Sequence, residues 1–297
     1  MIKAVTLLAL LGLAGPVAAQ IQLQHHDGAT LVLPREAQRV VTLAPNLAEL
    51  VFAAGGGQNL VATVEYSDYP AAAMNLPRVG DAFRVDLEAL LALQPDLVII
   101  WASGNPAALV DRAEQLGLPV WRTEIRELAD IPHLMLAMGR AMGTTKHAEP
   151  AVAKFHSRLS AIKAQYKNAE AVSYFYQVAE RPLYTVSAKH LISHSLGLCG
   201  GVNVFAELDS LAPSISTEAI LDADPELMFA PEGEGMSGGL DQWRRWQGLK
   251  AVQQDHLYYL DADRISRAGP RFLDTLEQAC HYLSAARLKP GLNKKAK

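Results

Sequence analysis

Apolar residues in this chain fall into short unbroken runs separated by stretches of helical spacing. Val40 to Leu43 is a β-rich run, and Asn46 can cap the amphipathic stretch behind it, which stops at Gly55-Gly56-Gly57. Leu60 to Val64 reads as a second strand. Asp86 can cap a helix through Leu93, and Pro95-Asp96 breaks that helix before the buried strand Leu97-Val98-Ile99-Ile100. A helix near Pro106 to Leu116, a strand at Pro119 to Arg122 and a helix over Ile131 to Met142 follow. Strands that are apolar throughout, rather than alternating, predict a parallel sheet covered on both faces.

The pattern changes at Glu149. One long helical stretch runs to Tyr166, with Val152, Phe155, Leu159 and Ile162 on a single face. Strand–helix alternation then resumes with Tyr174 to Val178, a helix over Leu191 to Leu198, Ile220, Leu227 to Ala230 and Leu257 to Leu260. A closing helix spans Pro270 to Arg287. The second half echoes the first: DLEALLALQPDLVII from Asp86 aligns without gaps on STEAILDADPELMFA from Ser216, with Glu88/Glu218, Pro95/Pro225 and Leu97/Leu227 identical. A second echo sets Leu47, Gly56, Gly57 and Asn59 against Leu191, Gly200, Gly201 and Asn203. Two echoes in the same order predict an α/β fold of two Rossmann-like lobes with parallel-sheet cores, joined by a single long connecting helix. The expected division is an N-terminal lobe over 37–146, the helix over 147–168, a C-terminal lobe over 169–288 and a basic tail over 289–297. A ligand site is expected in the cleft between the lobes.

Composition adds compartment and excludes partners. Lys3, the apolar run Ala4 to Ala14, too short to span a bilayer, and the small residues Val17-Ala18-Ala19 predict a signal peptide over 1–19 and a periplasmic product. No Cys follows that run, so a lipid anchor is not expected. The chain is 50% hydrophobic and 20% charged, and its net charge of −4 gives no electrostatic case for nucleic acid or an anionic membrane. Cys199 and Cys280 form an isolated pair, which in an exported protein favours a disulfide over two buried thiols.

RVVTLAPNLAEL, YSDYP, DLEALLALQPDLVIIW, GLCGGVNVF and ISRAGPRF occur in order from Arg39 to Phe272. Together they resemble the periplasmic vitamin B12-binding proteins of ABC importers. The LxPDL element is shared with heme, siderophore and metal-chelate relatives; YSDYP, LCGG and RAGPR point to the corrinoid branch. The resemblance implies two lobes joined by a rigid helix, no enzymatic activity, no resident cofactor or metal, and a corrinoid as transported ligand. It also implies a monomer that docks on a permease–ATPase complex, and a Cys199–Cys280 disulfide. Ligand contacts carried over are Tyr69, Trp101, Tyr184, Asp263 and Arg267. Tyr69 and Trp101 could equally be core packing, and Arg267 a structural ion pair. Where the family has tryptophans on the cleft walls this chain has Ala82 and Ala212; Phe83, or Trp243 and Trp246, could supply aromatic surface instead. Glu88 and Glu218 match the family's one docking glutamate per lobe, although the helix dipole alone favours a carboxylate there.

Rival readings remain. Heme is the main alternative ligand, with Tyr69 as phenolate and His190 as partner. His190 and His194 are spaced i, i+4 but are read as surface or capping residues, and His25-His26 as a flexible extension. Gly235-Met236-Ser237-Gly238-Gly239 fits the G-x-S-x-G of a secreted serine hydrolase, with Asp261 or Asp263 and His281 in triad order. Pro231 to Glu234 separates it from the preceding strand, so the strained strand-to-helix turn this motif needs is missing. No phosphate-binding glycine motif is present.

Overall fold

The computed structural model describes residues 20–233 and 239–288. The expected signal peptide, the expected basic tail and Ser237 lie outside the described residues. The chain opens with a hairpin of β1 (Ile21–Gln24) and β2 (Thr30–Leu33). The first lobe follows as β3 (Val40–Thr42), α1 (Pro45–Ala53), β4 (Leu60–Ala62), α2 (Leu87–Ala92), β5 (Leu97–Trp101), α3 (Ala107–Gln115), β6 (Val120–Thr123) and α4 (Asp130–Ala141). The long helix α5 (Thr145–Gln165) leads to the second lobe. This comprises β7 (Val172–Tyr176), the short hairpin β8 (Ala179–Glu180) and β9 (Leu183–Tyr184), α6 (Leu191–Gly197), β10 (Gly201–Asn203) and α7 (Thr217–Ala223). It ends with β11 (Leu227–Glu232), α8 (Lys250–Gln253), β12 (Leu257–Asp261), α9 (Ala262–Ser266) and α10 (Phe272–Arg287).

Each lobe holds a four-stranded parallel sheet, ordered β4-β3-β5-β6 in the first and β10-β7-β11-β12 in the second. Numbered within its own lobe, each sheet reads 2-1-3-4, so the echoed segments form topologically matching units. The two-lobed α/β class expected from the sequence is the one observed. The echo extends to the caps. Asp86 accepts from the backbone N–H groups of Glu88 and Ala89, and Ser216 accepts from that of Ala219. Glu88 and Glu218 both fall at the second helical position behind these caps.

The lobes are not independent bodies. One buried apolar cluster runs from α1, β3 and α4 through α5 into β7, α6 and α10. On α5 it takes up the predicted face: Val152, Phe155, Leu159 and Ile162 are buried. Arg158, on the same helix, pairs with Asp274 at 2.8 Å and Glu277 at 3.0 Å on α10. Separate clusters cover the outer face of each sheet. Cys199 and Cys280 are joined in a disulfide, with Cα atoms 5.3 Å apart, tying the end of α6 to α10. Among the described residues no helix is long and apolar enough to cross a membrane.

Several boundaries differ from expectation. Asn46 does not cap α1: Ala44 occupies the cap and Pro45 takes the first position, where its missing N–H costs nothing. Helix α5 begins four residues before Glu149, with Pro150 inside it. Strand β7 starts at Val172 rather than Tyr174, because Val172 pairs with Gly201. His25 and His26 do not belong to a loose extension. The His26 backbone N–H donates to Arg122 O at 2.9 Å, and the His25 ring Nδ1 accepts from Arg122 N at 3.0 Å, fastening the hairpin turn beside β6.

Candidate functional site

In doubly wound sheets the ligand crevice lies beyond the carboxyl ends of the strands. Trp101 is the last residue of β5 and stands at that edge. Its indole lies against Gly104, where any side chain would collide with the ring. Its Nε1–H donates to Glu124 Oε1 at 3.2 Å. The same carboxylate accepts from the Ser103 backbone N–H at 2.9 Å and hydroxyl at 3.1 Å. Buried Asn105 gathers three strand-end loops. Its Oδ1 accepts from Trp101 N at 2.8 Å, and its Nδ2 donates to Leu43 O at 2.8 Å and Ala82 O at 2.7 Å. Ala82 is thereby held by its backbone at the site. Neighbouring Phe83 is 70% exposed on a turn closed by the Asp81 carboxylate, which accepts from Phe83 N and Arg84 N.

Facing these groups across the cleft are residues of the second lobe. Asn46, Trp101 and Ile125 on one side and Leu191, Ala212 and Ile265 on the other enclose a chamber of about 250 Å³. At the foot of the cleft the lobes are clasped by charge. Arg267 is 9% exposed. It donates to Asp68, with Nη2 3.1 Å from Oδ2, to Asp263 Oδ1 at 2.8 Å and to Glu49 Oε1 at 3.4 Å. Arg271 grips the buried Glu49 carboxylate through Nε at 2.9 Å and Nη2 at 2.5 Å, and stacks over the Tyr69 ring at 3.9 Å. Burial alone would depress the Arg267 guanidinium, but hydrogen bonding to Asp68 and the charges of Asp263, Asp68 and Glu49 outweigh it and raise its pKa. The Arg267 hydrogen bond likewise holds the Asp68 carboxyl below the usual range.

The sequence-predicted residues therefore separate into groups. Trp101 lines the chamber. Arg267 and Asp263 belong to the clasp, Arg267 already satisfied by three carboxylates. Tyr69 lines a different groove, with Pro70, Pro270 and Arg271. Tyr184 is exposed and bridges to Ser214, two residues from Ala212. Trp243 is not a cleft aromatic. It is 1% exposed in the outer core of the second lobe, packs edge-on against Phe175 at 6.0 Å, and donates Nε1–H to Gln177 Oε1 at 2.8 Å. Trp246 packs against it under Arg245. Glu88 and Glu218 are exposed, one per lobe. The Glu218 carboxyl is held below the usual range by its own backbone N–H and the Ser216 hydroxyl.

The geometry for heme ligation is poor. His190 caps α6, its Nδ1 accepting from Ile192 N at 3.2 Å, and burial pushes its pKa down to about 4. It is neutral with its proton on Nε2, and it lines the chamber while Tyr69 does not. Among the described residues no group of three or more His, Cys, Asp or Glu is placed to hold a metal ion. Asn105, Glu124, Glu49 and Asp68 escaped sequence reasoning. The signal for Glu49 was an acid inside the apolar stretch of α1, and for Asn105 a Gly-Asn-Pro turn directly behind a buried strand.

Comparison with known proteins gives a consistent picture. The family model for periplasmic binding proteins matches residues 40–264. The vitamin B12-binding protein of Vibrio cholerae serotype O1 is 37% identical over 257 residues, spanning 86% of this chain and 92% of that protein. The crystal structure of the periplasmic vitamin B12-binding protein BtuF of Vibrio cholerae superposes with a TM-score of 0.80 at 37% identity, covering 85% of this chain and 99% of that one. The periplasmic heme-binding protein RhuT from Roseiflexus has a TM-score of 0.74 at 20% identity, over 84% and 99% of the two chains, a likeness of fold.

Proposed function

The chain belongs to the periplasmic binding protein family, and from that premise we propose that it is an exported receptor that captures vitamin B12 or a related corrinoid between its lobes and hands it to an ABC import permease and its ATPase. The observation that carries this reading is the chamber at the strand ends. Trp101 shares this chamber with the apolar side chains of Leu191, Ile265 and Ala212, and a corrin is a flat, largely apolar ring edged with amide arms. An aromatic contact of this kind contributes on the order of 1 kcal/mol beyond area burial. Ala212 leaves room in the chamber where an aromatic wall would narrow it, and Phe83 is 70% exposed beside Ala82. The 37% identity to the Vibrio cholerae vitamin B12-binding protein supports the choice of ligand. No chemistry is done on the cargo, and the protein acts as a monomer. Glu88 and Glu218 present one carboxylate per lobe for contact with basic residues of the permease. The apolar cluster shared through α5 restricts lobe motion to small adjustments.

Titration of the purified protein with cyanocobalamin and with hemin, followed by calorimetry and visible spectra, tests the ligand. Corrinoid binding heat without a new Soret band is expected. A Soret shift with hemin and no heat with cyanocobalamin would replace the corrinoid by heme.

A further inference from the structure

The apolar chamber is too small for its proposed cargo. Its volume of about 250 Å³ falls below the roughly 300–1,000 Å³ of pockets that enclose drug-sized ligands, and a corrinoid is larger, with a ring, amide arms and, in cobalamin, a nucleotide loop carrying a phosphodiester. The cargo must extend past the chamber. Glu124 and Arg126 line both the chamber and a second interlobe cavity of about 620 Å³, so the two lie side by side. Four histidines meet in this vestibule: His25 and His26 from the hairpin turn, His133 on α4, and His194 on α6 across the cleft, beside Lys189.

The walls carry unused donors from both lobes. His25 accepts at Nδ1 from Arg122 N, which leaves its Nε2–H unused. The imidazoles of His26, His133 and His194 make no hydrogen bond among the described residues. The nearby acceptors are largely taken. Glu124 receives Trp101 and Ser103 and lies 3.5 Å from Arg126, and Asp130 Oδ2 receives the backbone N–H groups of Arg126 and Glu127. Lys189 reaches Asp209 and is exposed. Glu127 is the one wall carboxylate with no partner among the described residues, and it opposes an anion. We propose that this vestibule is a second subsite that holds the phosphodiester arm of a corrinoid while the chamber holds the ring face. The inference rests on the corrinoid reading. Donors come from both lobes, so an arm seated here ties the hairpin and α4 to α6.

Cyanocobalamin and dicyanocobinamide, which keeps the ring but lacks the nucleotide loop, separate the two subsites by calorimetry on the full mature protein. His133, Lys189 and His194 are exposed, so the H133A/K189A/H194A variant keeps its core, and a melting curve checks that it does. That variant is expected to bind cyanocobalamin about tenfold more weakly with cobinamide within about twofold of wild type, while Glu127→Gln tightens cyanocobalamin alone by about twofold. Equal losses for both corrinoids, or no loss for either, overturn the vestibule assignment. Wild type that binds neither corrinoid overturns the corrinoid reading itself, and this inference with it.

Discussion

Trp101 closes the third strand of its sheet, and Trp243 follows the third strand of the other, yet one faces the cleft and the other the core. The lobes agree wherever the polypeptide scaffold is concerned: strand order, helix caps and the glutamate behind each cap. They disagree at the strand ends. The first lobe turns an aromatic face and a web of backbone tethers toward the cleft. The second turns in small and apolar side chains and two arginines, and spends its tryptophans on packing. A duplicated scaffold has kept its frame and diverged in its loops, because the frame answers to burial and pairing while the loops answer to the ligand.

That division predicts opposite outcomes for the two tryptophans. Trp243→Ala removes a fully buried side chain and one hydrogen-bond donor to Gln177, so it should cost about 3–5 kcal/mol of stability. Its effect on corrinoid affinity should be small. Trp101→Ala should reverse the order, lowering affinity about five- to tenfold with far less loss of stability, since the side chain is half-buried and lines the chamber proposed to hold the ligand. Chemical denaturation paired with calorimetric titration checks both; equal stability costs would erase the distinction between the lobes.

The clasp is where the two lobes meet, and it ranks next. Glu49→Gln leaves Arg267 and Arg271 short of their shared carboxylate at a buried position, with an expected cost of about 3 kcal/mol, toward the lower end for broken buried pairs because Arg271 keeps some solvent. The pH dependence has a definite sign. The folded-state pKa of Asp68 is depressed, so its contribution is complete above the ordinary aspartate value of about 3.9 and is lost as pH falls through the lower folded value. Melting curves from pH 6 to pH 2 should therefore show an acid loss that is smaller in Asp68→Asn. An unchanged acid limb in that variant would remove Asp68 from the clasp.

What could be read from the chain alone follows the same boundary. Apolar strands, the Asp86 cap and the echo of Glu88 in Glu218 were legible because each depends on residues close in sequence. Asn105 reaches Leu43 across 62 positions, and Arg267 reaches Glu49 across 218. No local pattern encodes such partners, so the role of Asn105 stayed hidden, and for Arg267 the structural ion pair stood only as the alternative to a ligand contact. His25-His26 were read as flexible because the hairpin's fastening depends on a distant edge at Arg122. Trp243 was ambiguous for a related reason: an aromatic residue just beyond a strand packs equally well above the sheet or at its end.

The smallest effect on the isolated protein, and the sharpest comparison of the lobes, concerns the paired glutamates. Both follow a cap, and the Glu218 carboxyl is held below the usual range by its own backbone N–H and the Ser216 hydroxyl. Reversal at Glu218 should therefore lower the melting temperature slightly more than reversal at Glu88, and neither should alter corrinoid affinity, since both are exposed and neither lines the chamber or vestibule. Uptake by cells carrying Glu88→Lys together with Glu218→Lys should nevertheless fall by about an order of magnitude or more, because exposed charges of this kind set the orientation and rate of docking. If one reversal alone accounted for the whole loss, docking would rest on a single lobe, and the matched positions would reflect helix capping in the other. If uptake were unchanged by the pair, both glutamates would serve their helices and nothing else.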